Sequence, residues 1–218
     1  FNSIESLFNV IPAAEISLEA NPGTIDQKYL SELRRIGLNR LSIGVQTTNE
    51  KELQLLGRIH QKKEIFRSVE AARTAGFTNL NLDLIYGLPD QTIENWKSSL
   101  LDVIDLYPEH ISLYALSIEK GTLFGSRAKK GLLNVPDPDL AAEMYNWSSE
   151  QLEKAGFIQY EISNWSKKGF ECRHNLLCWA NRPYIGIGPG ASSYWQGTRC
   201  KNIADIKKYT STIERGKS

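Results

Sequence analysis

Four short segments in the first two-thirds of the chain alternate apolar with polar residues, as β-strands with one covered face do. The segments span residues 15–20, 40–46, 79–87 and 110–116. Helix signals separate them. Thr24 and Gln27 predict a capping box before a helix that Gly37 closes, and further helices are predicted over residues 62–75 and 92–106. Strands that alternate with helices predict βα units and a parallel sheet.

The pattern changes after Gly121. The remaining chain carries, in order, a predicted helix, two strand candidates and a closing helix: residues 137–155, 160–165, 184–187 and 203–215. We predict a boundary near Val135 and Pro136. It separates a first domain, residues 1–135, from the start of an accessory α+β region, residues 136–218.

The second face of each predicted strand is polar or small. In the third strand Leu80, Leu82 and Leu84 share one face, and the opposite face carries Asn79, Asn81 and Asp83. Glu19 and Gln46 lie near the ends of the first two strands. Barrels of parallel βα units have their active-site residues at the carboxyl ends of the strands.

A polar interior requires an occupant, because carboxylates buried without partners are strongly destabilising. A packed barrel fills its interior with branched apolar side chains instead. We therefore predict a barrel-like interior that holds a large polar ligand or water. An antiparallel sheet with one solvated face would alternate in the same way, and this alternative stays open.

Composition excludes several classes of protein. The 218 residues carry a net charge of +1, which does not indicate a nucleic-acid partner or a membrane surface. No apolar run approaches the roughly 20 residues of a transmembrane helix, and no secretory signal is visible. Three cysteines, an odd number, indicate a reducing compartment. We expect the cytoplasm, with an organelle as the alternative.

Seven sequence blocks occur in an order that resembles the radical S-adenosylmethionine (SAM) family, in its branch of oxygen-independent coproporphyrinogen III oxidases and haem chaperones. The blocks are ISLEANPG, GLNRLSIGVQ, LGRIH, LNLDLIYGLPDQT, HISLYALSIEKGT, YEISNW and RHNLLCWANRPYIGIGPGA. The family core is an incomplete barrel of six parallel strands. The resemblance implies an α/β fold, a partial (β/α)6 barrel containing strands three to six.

The resemblance also implies a [4Fe–4S] cluster, held by three cysteines in a CxxxCxxC pattern after the first barrel strand. The cluster binds SAM and reduces it to a 5′-deoxyadenosyl radical. This sequence has no such pattern. We therefore expect a fragment whose cluster ligands lie upstream, with no metal ligand of its own. Alone it is expected neither to assemble the cluster nor to cleave SAM.

Four residues match the SAM-contacting positions of the family: Glu19, Gln46, Arg58 and Asp83. Carboxylates accept hydrogen bonds from an ammonium group or from ribose hydroxyls, and a guanidinium suits a carboxylate. Without the resemblance, Arg58 and His60 would be interpreted as a solvated turn. Glu19 would be a cap of the following helix. We assign no catalytic residue.

Residues 174–179, HNLLCW, resemble the HNxxYW motif of the haem-chaperone members, with Cys178 in place of the tyrosine. His174 is the candidate haem contact, since a neutral imidazole can ligate haem iron. The alternative is a histidine that bonds the backbone of a turn.

The resemblance implies a haem chaperone that binds SAM, the cluster and haem and delivers haem to a receiving protein. The alternative is an oxygen-independent coproporphyrinogen III oxidase acting on a porphyrinogen. A sugar-phosphate or aldolase-type barrel would need a phosphate-binding helix start and a reactive lysine at a strand end, and neither is found.

Overall fold

The computed structural model describes residues 2–134 and 137–216. The chain forms two compact units, the first ending at Glu171 and the second beginning at Cys172. The predicted boundary at Val135 and Pro136 lies outside the described residues. The division into two domains at that point therefore stays a prediction.

The strands of the first unit are β1 (Ser17–Ala20), β2 (Arg40–Gln46), β3 (Leu80–Tyr86), β4 (His110–Ala115), β5 (Ile158–Glu161) and β6 (Asn164–Ser166), and those of the second are β7 (Ser192–Trp195) and β8 (Thr198–Lys201). The helices are α1 (Asn2–Leu7), α2 (Gln27–Arg35), α3 (Glu50–Leu55), α4 (Lys62–Thr74), α5 (Ile93–Ile104), α6 (Leu123–Lys129), α7 (Pro138–Lys154), α8 (Arg173–Trp179) and α9 (Ile206–Glu214).

The first unit contains a six-stranded sheet in the order β1-β2-β3-β4-β6-β5. Strands β1 to β4 pair in parallel, and β6 pairs antiparallel with both β4 and β5. The predicted α/β class and the four consecutive parallel strands are confirmed. The antiparallel alternative is wrong for these strands. The order is open within the described residues, with β1 and β5 at its edges.

One face of the sheet forms the hydrophobic core. The inward residues of β2, β3 and β4 are at most 1% exposed: Leu41, Ile43, Leu80, Leu82, Leu84, Ile111 and Leu113. Trp96 of α5 is fully buried in the same core, and its indole N–H donates to Ser148 Oγ of α7 over 2.8 Å. The helices thus cover the apolar face and leave the opposite face of the strands free for polar side chains.

A buried glutamate ties together the loops at the carboxyl ends of β2 and β3. Glu52 Oε2 accepts from the Thr47 hydroxyl over 2.5 Å and from Gln91 Nε2 over 3.1 Å. The side-chain oxygen of Gln91, Oε1, in turn accepts from the Leu88 backbone N–H. These bonds fix the two loops that border the polar face.

The predicted capping box at Thr24 is wrong. The Thr24 hydroxyl donates to the Asn21 carbonyl and closes the turn after β1. Asp26 caps the helix instead, because its carboxylate accepts from Tyr29 N over 2.8 Å. The predicted cap at Thr92 is confirmed by its bond from Asn95 N.

Three predicted elements of the second part differ from the structure. Residues 160–165 form not one strand but the hairpin of β5 and β6. Residues 184–187 contribute only the isolated bridge between Tyr184 and Tyr194. The backbone N–H of Gly186 donates to Ser193 Oγ, and its carbonyl accepts from Asn202 Nδ2. These two groups therefore do not pair with a neighbouring strand. The last helix begins at Ile206, after the cap Asp205.

Within the described part of the chain, no helix combines the length and the apolar character that crossing a membrane requires.

Candidate ligand site on the polar face of the sheet

A row of polar side chains crosses the four parallel strands. The register pairs Glu19 with Ser42, Ser42 with Asn81, and Asn81 with His110. Directly paired residues lie on the same face of a sheet. Glu19, at the exposed edge, and the buried His110 therefore mark the two ends of one row.

Asp83 lies one step further along the same face and is held by two donors. Its Oδ1 accepts from Asn81 Nδ2 over 2.7 Å, and its Oδ2 accepts from the Ser42 hydroxyl over 2.9 Å. Asp83 is only partly buried. Each carboxylate oxygen can accept more than one hydrogen bond, so capacity remains for a ligand.

His110 is the buried end of the polar row. Its Nδ1 lies 2.6 Å from Asn81 Oδ1, and its Nε2 lies 2.7 Å from the Tyr160 hydroxyl. Burial, together with the smaller effect of the positive charge of Arg40, lowers the pKa of His110 to about 3. The imidazole is therefore neutral at physiological pH.

This neutral histidine predicts a loss of stability in mild acid. An unfolded histidine titrates near its usual value of about 6.5, so below that pH the unfolded chain takes up a proton that the folded chain refuses. We expect His110 to remove roughly 2 kcal/mol of the free energy of unfolding between pH 7 and pH 5. Urea unfolding at both pH values measures it. His110→Gln should show a smaller difference, and an equal difference in both proteins would contradict the prediction.

Gln46 reaches the polar face through an irregularity in β2. The β2–β3 register shifts between Ile43 and Gln46, and Gln46 has a positive φ of 69°. Its side chain folds back over Gly44: a Cβ at Gly44 would lie 2.7 Å from Gln46 Nε2. Glycine at this position therefore leaves room for the amide.

Arg58 is tied to the loop that follows β1. Its guanidinium donates to Asn21 Oδ1 over 2.8 Å. The same Asn21 oxygen would lie 3.5 Å from a Cβ at Gly44. The guanidinium and the Gln46 amide thus both lie close to Asn21, at the carboxyl ends of β1 and β2.

The structure decides two of the alternative interpretations. His60 is only 5% exposed, and burial lowers its pKa, so it does not lie in a solvated turn. Glu19 is not the cap of α2, because Asp26 holds that position. Neither finding tests a role in binding SAM, and the roles of Glu19, Gln46, Arg58 and Asp83 stay predictions.

His174 lies in the second unit, on the short helix α8. The side chain is exposed, and its Nε2 lies 3.7 Å from Cys178 Sγ, one helical turn away. Its ring meets that of Tyr184 edge-on, with 6.1 Å between the centroids. An accessible imidazole beside a thiol is a suitable donor set for iron, and its role as a haem contact stays a prediction.

Metal-binding groups are sparse. Across residues 2–134 and 137–216, no three histidine, cysteine or acidic side chains lie close enough together to hold a metal ion. All three cysteines belong to the second unit: Cys172, Cys178 and Cys200.

The sequence patterns did not single out His110 or Tyr160. The sequence did indicate a position for His110, because it lies two residues before Ser112 and therefore on the same polar face of the strand. Tyr160 had no local signal, since it reaches the face only through the antiparallel hairpin of β5 and β6.

Comparison with known proteins places these features in a family context. The radical SAM superfamily profile matches residues 3–103. The heme chaperone HemW of Bacillus subtilis strain 168 is 42% identical over 204 residues, 93% of this chain and 54% of that protein. A mouse protein named radical S-adenosyl methionine domain-containing protein 1, mitochondrial, is 42% identical over 191 residues, 86% of this chain and 43% of that protein.

A solved structure covers almost the whole chain. Coproporphyrinogen III oxidase HemN from Escherichia coli, described as a radical SAM enzyme, matches with a TM-score of 0.83 and 26% identity. The match covers 99% of this chain and 52% of that one. The chain therefore spans about half the length of the relatives it matches.

Proposed function

The chain belongs to the radical SAM superfamily, in the branch of haem chaperones and coproporphyrinogen oxidases, and we propose that it is the SAM-binding and haem-binding part of a haem chaperone. The observation that carries the proposal is the HNLLCW segment at residues 174–179. A 42% identity to the heme chaperone HemW of Bacillus subtilis over 93% of the chain supports it.

The polar face suits a charged nucleoside such as SAM. The missing Cβ at Gly44 leaves the room that the Gln46 amide occupies, and Asp83 keeps acceptor capacity. In the proposed site, Glu19 and Asp83 accept from ammonium or hydroxyl groups, and Arg58 faces a carboxylate. Bound SAM supplies the 5′-deoxyadenosyl group.

Gly44→Ala tests the space above the strand. The added methyl group must displace the Gln46 amide, so we expect SAM affinity to fall about 10-fold, the value of roughly one hydrogen bond. Stability should not fall, because alanine is favoured over glycine in a strand interior. Isothermal titration with SAM and thermal unfolding measure the two quantities. Unchanged affinity would remove Gln46 from the proposed site.

The cysteines of this chain do not fit a [4Fe–4S] cluster. They follow no CxxxCxxC pattern, and all three lie at or beyond Cys172. The proposal therefore assigns the cluster ligands to a segment outside this chain. The binding roles proposed for this chain's residues do not depend on those ligands. The intact protein is here the chain together with that segment.

His174 is the proposed haem ligand. Its imidazole is exposed on a helix without buried side chains, so a flat macrocycle can approach it. A neutral imidazole nitrogen binds haem iron directly.

Two measurements on the intact protein decide between chaperone and oxidase. Haem titration followed by Soret absorbance should give saturable, stoichiometric binding for the chaperone. Incubation with coproporphyrinogen III, SAM and a reductant should give no decarboxylated product. Product formation without haem binding would establish the oxidase and refute the proposal.

The proposed partners are SAM, haem and a haem-receiving protein. Three cysteines, an odd number, favour a reducing compartment such as the cytoplasm. The mouse relative carries the word mitochondrial in its name, which supports an organelle as the alternative.

A further inference from the structure

A chain of hydrogen bonds links residues on three strands and ends at Asp83. It begins at Tyr160 on β5, passes through His110 on β4, and reaches Asn81 and Asp83 on β3. The three distances are 2.7, 2.6 and 2.7 Å. Ser42 on β2 adds a branch, accepting from Asn81 Nδ2 and donating to Asp83.

The carboxylate sets the direction of every bond in this chain. Asp83 only accepts, so the Asn81 amide must turn its NH2 group toward Asp83 and its oxygen toward His110. His110 Nδ1 is then the protonated nitrogen, and Nε2 accepts from the Tyr160 hydroxyl. All three bonds donate toward Asp83, and such aligned bonds strengthen one another in a buried setting.

The reverse orientation of Asn81 is unfavourable. It would place the amide oxygen 2.7 Å from Asp83 Oδ1, with two acceptors in contact and no proton between them. Ser112 also donates to the Asn81 oxygen, over 3.0 Å, but a hydroxyl can rotate to suit either orientation. Neutral and fully buried His110 completes the observed orientation when its single ring proton is on Nδ1, where it donates to the Asn81 oxygen.

We propose that His110 and Asn81 are positioning residues that hold the Asp83 carboxylate in the orientation that binds SAM. The inference rests on the proposed function, in which Asp83 contacts SAM. His110 touches no ligand in this scheme and acts only through Asn81.

Two substitutions at His110 test its hydrogen bonds to Asn81 and to Tyr160 one at a time. In His110→Asn, the amide nitrogen takes the place of Nδ1 and keeps the bond to Asn81. In His110→Gln, the side-chain oxygen takes the place of Nε2 and keeps the bond to Tyr160. Both remove the ring, so both should lower the unfolding temperature.

SAM affinity of the intact protein, measured by isothermal titration, should respond differently to the two. We expect His110→Gln to weaken binding about 10-fold and His110→Asn to restore most of that loss. Equal affinities in the two variants would overturn the inference. If His110→Gln does not fold, Asn81→Ala replaces it, with the same expected loss and with unchanged affinity overturning the inference.

A spectroscopic test is independent of SAM. Selective ¹⁵N labelling of histidine should show His110 as the neutral Nδ1–H tautomer. An Nε2–H tautomer would overturn the inference. Isothermal titration of Asp83→Asn with SAM distinguishes a failure of the proposed SAM site from a failure of the positioning role. If it leaves SAM affinity unchanged, the proposed site fails. If it weakens binding and His110→Gln does not, only the positioning role fails.

Discussion

Asp83→Ala in the intact protein is expected to weaken SAM binding by about 10- to 100-fold, the value of hydrogen bonds to a charged group. The substitution removes the carboxylate proposed to accept from SAM. It also removes the acceptor of the Ser42 hydroxyl and one of the two acceptors of Asn81 Nδ2. Equilibrium dialysis with labelled SAM measures the effect.

Asp105→Ala is the matched control for Asp83. Asp105 is an exposed aspartate at the end of α5, so its removal should leave SAM affinity unchanged. Asp83→Asn preserves the shape of the side chain and separates the loss of charge from the loss of packing. An Asp83→Ala protein that binds SAM as the wild type does would exclude Asp83 from the site.

His174→Ala is expected to reduce haem affinity at least about 10-fold. At metal sites, removing a residue that only hydrogen-bonds to a ligand already lowers metal affinity about 10-fold or more, and a direct ligand contributes more. Because the side chain is exposed and α8 has no buried residue, the free energy of unfolding should hardly change. Soret absorbance during haem titration measures the affinity.

Two neighbours on α8 serve as controls for His174. Arg173→Ala removes an adjacent exposed side chain and should leave the haem spectrum intact. Cys178→Tyr puts the family residue in place of the thiol, which lies 3.7 Å from the imidazole, and should preserve haem binding. Wild-type haem spectra in His174→Ala would reject the ligand role. Loss of haem only in Cys178→Tyr would assign the iron to the thiol.

The parallel sheet was predictable because its physical cause is local. Helices cover one face of β2, β3 and β4, so every second residue is apolar, and that period is visible in residues 40–46, 79–87 and 110–116. The same period placed Asp83 on the polar face. The contact between Asp83 and Ser42, which lie 41 positions apart in sequence, follows from the register.

The geometry of Gln46 was not predictable. Strict alternation would place it on the polar face in a regular strand, whereas the structure delivers it there through a register shift and a positive φ. A non-glycine residue in that conformation is uncommon and has no pattern in composition or period. Only the neighbouring Gly44 hints at close packing.

The second part was predicted less well because its elements depend on distant partners. β6 is three residues long and is held by β4, some 50 positions earlier. Such a strand is too short to show a period of its own. The last helix was found, but its start was placed three residues early, since Asp205 caps the helix and the helix begins at Ile206.

The strand order restricts how this sheet can grow. The antiparallel hairpin of β6 and β5 covers the side of β4, so a further parallel neighbour can be added only beside β1. Growth of the parallel run therefore has one direction, past the free side of β1. An edge strand without a neighbour presents unpaired backbone N–H and carbonyl groups, which can pair with a strand of another molecule. Covering β1 would therefore protect the protein from edge-to-edge association.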